Sequence, residues 1–143
     1  MIGGVTSTEG LATLERLVQF AGQRHRLIVN NIANFDTPGY RPTDVSVADF
    51  QKQLRDAIDE RRSTGRPAGP LDLKDSPQVE FSKHSLVLHP TPSGQNILFH
   101  DGNDRDLERM MQDLVENFLT FRLATELIRN RFDLLRTAIA ERV

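Results

Sequence analysis

Asn31-Ile32-Ala33-Asn34-Phe35-Asp36-Thr37-Pro38-Gly39-Tyr40-Arg41 divides a helical repeat on its N-terminal side from a different pattern on its C-terminal side. Pro38 fixes its own φ and lacks the N–H that a continuing helix needs, and it pushes Thr37 out of the helical region. Gly39 takes positive φ at no steric cost, so Pro38-Gly39 fits the central positions of a type II turn. Asn34 is the candidate helix end, because asparagine tolerates a left-handed cap. The expected result is a long helix that stops sharply and sends Tyr40 off in a fixed direction.

Upstream of this corner, the positions Leu11, Leu14, Val18, Ala21, His25, Ile28 and Ile32 alternate spacings of three and four, a heptad seam flanked by Leu17, Phe20 and Leu27. The spacing predicts a helix over 8–34, roughly 40 Å long at 1.5 Å per residue, with Thr8 as its cap and residues 1–7 without order of their own. His25 lies in the seam with no partner histidine nearby. A polar position that sets register explains it better than a ligand.

Downstream, Val47, Phe50, Leu54 and Ile58 recur at helical spacing. They predict a shorter helix over 46–61, with Ser46 as N-cap and Asp49 three residues on. Arg61, Arg62 and Arg66 read as a solvated helix end favoured by the dipole. The stretch 63–103 changes character: five of the seven prolines fall between 67 and 92. Leu71/Leu73, Val79/Phe81, Leu86/Leu88 and Ile97 to Phe99 give short alternating runs, which fit brief strands or an irregular loop. Asp101-Gly102-Asn103-Asp104 opens like a calcium loop, but Arg105 and Asp106 stand where an acceptor and a glycine are needed. Asn103 or Asp104 is expected to cap a helix instead.

That last helix carries Met111, Leu114, Phe118, Phe121, Thr125, Ile128, Phe132, Leu135 and Ile139, again alternating four and three, with no proline or glycine from 103 to 143. It is predicted over 104–140, roughly 55 Å long. A second stripe runs through Leu119, Leu123, Leu127, Leu134 and Ala138. One partner helix cannot cover both, so an obligate assembly is expected.

The composition excludes several classes. The chain has 143 residues, eighteen basic and twenty acidic, for a net charge of −2. That balance recruits neither nucleic acid nor an anionic membrane. Without cysteine there is no disulfide framework and no thiolate nucleophile or metal site. The four histidines are scattered and no phosphate-binding glycine loop is present. No catalytic, cofactor or metal site is therefore expected, and no small-molecule substrate. No run reaches the ~18 apolar residues of a membrane span, and no cleavable signal peptide is visible.

The order Asn31, Ile32, Ala33, Asn34, Thr37, Pro38, Gly39, Tyr40, Arg41, some thirty residues into a short chain, resembles the N-terminal signature of the flagellar axial proteins, the rod, hook and hook-associated subunits. Asn30 and Pro42 are small departures from it. The resemblance extends to both ends and implies a mainly α fold. Two long terminal heptad helices pair as an antiparallel coiled coil, with a short helix and a small, β-poor insertion between them. The axial domain would comprise 1–42 and 104–143, with 43–103 as the variable middle. So short a middle looks most like a proximal-rod subunit of the basal body. Asp101-Gly102-Asn103, Asp106-Leu107-Glu108 and Asn117 favour one of the two small proximal types, and the sister type stays open. Phe121, where tyrosine is common, is a mild departure.

The implied function is structural: export unfolded through the flagellar type III apparatus, then polymerisation in the periplasm. The implied partners are copies of itself, other rod proteins, and inner-membrane ring and export-gate proteins. The competing class is a helical adaptor or chaperone-like bundle that binds one partner and does not polymerise.

Overall fold

The computed structural model describes residues 9–65, 71–93 and 107–140. In chain order these form α1 (Glu9–Ala33), β1 (Thr43–Asp44), α2 (Val47–Ser63), β2 (Val79–Phe81), β3 (Leu86–Leu88), β4 (Thr91–Pro92) and α3 (Leu107–Ala140). The mainly α expectation is borne out, and α1, α2 and α3 lie within a few residues of the predicted spans. Thr8, residues 1–7, Arg66, Ile97 to Phe99 and the Asp101–Asp104 cap lie outside the described residues. No helix among the described residues is long and apolar enough to cross a membrane.

The local signals explain where the elements start and stop. The α1 helix ends in a last α-type bond, Asn34 N to Asn30 O at 3.1 Å, and a tightened one, Phe35 N to Ile32 O at 3.2 Å. Tyr40 N then closes on Thr37 O at 3.1 Å, and Gly39 between them has φ +76°, as a type II turn requires. The left-handed cap expected at Asn34 is not formed: among the described residues no non-glycine has positive φ. Asn34 instead folds its amide back onto Asn30 O at 2.8 Å, which satisfies a helix-end carbonyl without the steric cost of a left-handed asparagine. Ser46 caps α2, its Oγ accepting from Asp49 N at 3.1 Å.

The middle is more ordered than a loop. Strands β2 and β3 form an antiparallel hairpin with Val79 opposite Leu88 and Phe81 opposite Leu86. Strands β1 and β4 pair antiparallel, with Thr43 opposite Pro92. Strands β1 and β4 were not expected from the sequence pattern. Leu71 and Leu73 make no strand, but pack on the core.

The core is built around α1. Phe20, Val45, Phe50, Leu54, Val79 and Leu86 form its buried cluster. Phe20 and Phe50 stack with centroids 3.9 Å apart and planes at 6°, and Phe81 lies beyond at 6.4 Å. Such pairs add about 0.5–1.5 kcal/mol to what burial alone contributes. The hairpin docks on α1 through polar groups. Its turn has no positive φ at Lys83 or His84. Arg16 donates to Ser82 O at 2.8 Å, Lys83 O at 2.9 Å and Ser85 O at 2.9 Å. Gln19 donates to His84 O at 3.0 Å, and Gln23 to Leu86 O. One guanidinium thus binds three carbonyls of this turn, and its charge strengthens each bond.

Candidate functional site

Two features stand out: the corner after α1 and the surface of α3. At the corner, Asn31 is 5% exposed. Its Nδ2 donates to Thr43 O at 2.8 Å, and its Oδ1 accepts from Thr43 N at 3.2 Å and from the Tyr40 hydroxyl at 2.8 Å. The side-chain amide therefore stands in for a neighbouring strand, serving the donor and the acceptor of Thr43. On the other edge of β1, Ser93 N donates to Pro42 O at 3.0 Å. Only an amide supplies both halves of this exchange, and this is the physical reason for asparagine here. Asn30 Nδ2 donates to the Tyr40 hydroxyl at 3.1 Å, and Thr37 N to Asn34 O at 3.0 Å. Asn31, Asn34, Thr37 and Tyr40 are thus one bonded network, closed by the Pro38-Gly39 turn. Arg41 is exposed beside it.

Two turns earlier on α1, Arg24 holds the next residue of the same segment. Its Nε donates to Asp44 Oδ1 at 3.0 Å and its terminal nitrogen to Asp44 Oδ2 at 2.7 Å, while Val45 N also donates to Asp44 Oδ1 at 2.8 Å. The same terminal nitrogen lies 3.4 Å from Asp113 of α3. Burial works against the Arg24 charge, but the hydrogen bonds and charge of Asp44, and then Asp113, outweigh it and hold the pKa above its ordinary value. Arg24, Asp44 and Asp113 were not singled out from the sequence. The available signal was a polar pair, Arg24 and Asn31, seven residues apart on one helix face.

On α1, Ala21 and Ile28 are buried, and Leu11, Leu14, Val18, His25 and Ile32 are half-buried. On α3, Leu114 and Ile128 are half-buried, whereas Met111, Phe118, Phe121, Thr125, Phe132, Leu135 and Ile139 are exposed. The positions of α3 that are most covered are Met110, Asp113, Leu114, Asn117, Ala124, Ile128 and Arg131. At alternate steps the seam runs one residue ahead of the apolar heptad. The reason is close approach. Asn117 Nδ2 reaches Ala21 O at 2.8 Å, Ala124 is 1% exposed, and Phe121 passes 3.7 Å from the place of a side chain on Gly22. Small residues and one amide bring the helices together where a row of phenylalanines would hold them apart. Contacts from Gly10 to Arg131, Ala21 to Asn117 and Arg24 to Asp113 fall in number along α3 as they rise along α1.

The consequence is an uncovered flank. Twelve large apolar side chains of α3 are exposed, among them Leu123 at 64%, Phe132 at 54% and Ile139 at 70%. Leu119, Leu127 and Leu134 of the second stripe are among them. Among the described residues there is no group of three or more histidines and carboxylates placed to hold a metal.

A mainly α chain with two long terminal helices, an Asn–Thr–Pro–Gly corner and a short middle has the layout expected of an axial structural subunit. Comparison with known proteins agrees. The chain is 28% identical over 129 residues to the flagellar basal body rod protein FlgB of Bacillus subtilis, covering 90% of this chain and 92% of that protein. It is 27% identical over 113 residues to FlgB of Salmonella typhimurium, covering 76% and 77%, and 25% identical over 114 residues to FlgB of Yersinia enterocolitica, covering 75% and 76%. No family model matches the chain. The resemblance to basal-body rod proteins, first stated from the corner motif, is thereby borne out, and these relatives carry the name of the proximal-rod protein FlgB, the type that Asp101-Gly102-Asn103, Asp106-Leu107-Glu108 and Asn117 favoured.

Proposed function

We propose that this chain is a structural subunit of the bacterial flagellar rod, in its proximal part, and that it polymerises through its terminal helices into a section of the drive shaft. The observation that carries the reading is the apolar flank of α3, left open by a helix seam of small and polar residues. A free-standing bundle would turn Leu119, Leu123 and Leu127 inward; a subunit of a tube covers them with its neighbours. The FlgB names of its relatives give that association its setting.

In this reading residues 1–42 and 104–143 form the axial domain, whose helices pair antiparallel as a coiled coil, and 43–103 forms the variable middle. Leu11, Leu14, Val18, Ala21, Ile28 and Ile32 on α1 pack the subunit. Met111, Leu114, Phe118, Phe121, Ile128, Phe132, Leu135 and Ile139 on α3 serve packing and assembly. The corner of Asn31, Asn34, Thr37, Pro38, Gly39, Tyr40 and Arg41 fixes how the chain leaves α1. The partners are further copies, other rod proteins, and ring and export-gate proteins; the place is the periplasmic rod, reached by type III export. The chain is not an enzyme.

The test is a double substitution, Leu119→Glu and Leu127→Glu, on the open flank. The purified variant is expected to keep its helical circular dichroism while losing self-association in sedimentation, and the source bacterium carrying it should lose motility. A variant that supports normal motility would overturn the assembly reading in favour of a single-partner adaptor.

A further inference from the structure

Between residues 115 and 139 the charges of α3 are sorted by side. Residues seven apart stand nearly above one another on a helix. Phe118, Thr125, Phe132 and Ile139 form one such line, and the next line around the helix is Arg122, Arg129 and Arg136. Beyond it come Leu119, Glu126 and Asp133, then Glu116, Leu123 and Asn130. All of these residues are exposed. Arg131, the remaining charge of the stretch, lies in the seam with α1, against Gly10. The phenylalanine flank is thus edged by arginines and the leucine flank by carboxylates. Helix α1 and its surroundings continue both signs. On the phenylalanine side a cleft of 300 Å³ has His25 and Arg26 at its wall. On the leucine side a cleft of 370 Å³ has Glu116 and Asp113, and the Arg24 that lines it is already paired with Asp44 and Asp113.

We infer that a second copy of the chain docks its acidic leucine flank on the basic phenylalanine flank of the first, so that Glu126 and Asp133 of one meet Arg122 and Arg129 of the other. Charge decides which flanks pair. Both are apolar and exposed, so burial alone would favour any combination of them. Phenylalanine flank on phenylalanine flank sets arginines against arginines, and leucine flank on leucine flank sets carboxylates against carboxylates. Like charges so opposed cost several kcal/mol, whereas the mixed pairing neutralises both edges. The mixed contact joins two different surfaces, so it does not close on a two-fold axis, and each copy keeps one flank free for the next. The inference rests on the reading of α3 as an assembly surface and adds to it the pairing rule.

Charge reversal on each flank of the full chain tests this, read by sedimentation at low salt. One variant carries Glu126→Arg and Asp133→Arg, the other Arg122→Glu and Arg129→Glu. Each alone should self-associate about tenfold or more weakly than the wild type. Mixed in equal amounts they should associate like the wild type, and so should a chain carrying all four changes. If one variant does not keep its helical circular dichroism, the other decides: added to wild type, it should cap growing assemblies at one end and shorten them. Undiminished association of either variant alone overturns the inference, since it means like flanks pair or the charges form only a solvated ridge. A mixture no better than its components overturns it as well, as does a wild type that stays monomeric at every concentration. Loss of motility in the Leu119/Leu127 variant beside unchanged association of the charge variants would remove the pairing rule and leave the assembly reading standing.

Discussion

Helices α1 and α3 carry the same kind of sequence, a heptad seam with flanking apolar positions, and come to opposite ends. Helix α1 is enclosed: α2 and the hairpin cover one side through the Phe20–Phe50 stack and α3 lies along another. Helix α3 is longer and richer in large apolar residues, yet buries one alanine and one asparagine fully. An amphipathic pattern states that a face must be covered; it does not state by which chain. In α1 the cover is intramolecular. In α3 the chain itself leaves most of that face open.

Substitutions on the two sides of this contrast should separate cleanly. The largest effect is expected from Phe50→Ala, at a ring 1% exposed and stacked on Phe20. The loss should be about 3–5 kcal/mol by denaturant unfolding. Asn31→Asp removes the donor to Thr43 O and sets a carboxylate against that carbonyl. It should cost roughly 2–3 kcal/mol by the same measurement, and a near-neutral result would mean that β1 does not depend on the amide.

Gly39→Val has open space around it, so its cost is confined to the backbone at φ +76°, about 1–2 kcal/mol. If the corner sets how α1 enters the assembly, motility should fall by more than that loss of stability explains; unchanged motility would sink this role for the turn. The smallest change in monomer stability, within about 0.5 kcal/mol, is expected from Leu123→Ser at 64% exposure. Its effect should appear in self-association instead. A large loss of monomer stability there would erase the contrast between the two helices.

Periodicity was a good guide to the spans of the helices and a poorer one to their partners. The stop after Ala33 and the turn at Pro38-Gly39 were legible because they depend on the φ preferences of a few adjacent residues. The cap at Ser46 was legible for the same reason, its partner Asp49 lying one turn away. The seam of α3 was displaced because the pattern weighs Phe118 and Met111 above Asn117 and Ala124. Contact between helices favours small side chains and a satisfied amide. Arg16 offered no signal, since its three carbonyl partners lie 66 to 69 residues away and any sequence has carbonyls.

By itself, the sequence determined that this protein is mainly helical, where its first helix breaks, and that its last helix has more apolar surface than one neighbour can cover. Those properties follow from backbone sterics and from counting side chains around a single cylinder. Only the tertiary structure decided that α1 is the hub of the core, that Asn31 and Arg24 fasten Thr43 and Asp44 to it, and that α3 meets it along a seam centred on Asn117 and Ala124. Such matters turn on contacts between residues far apart in the chain, where distance and shape choose among many chemically equivalent partners.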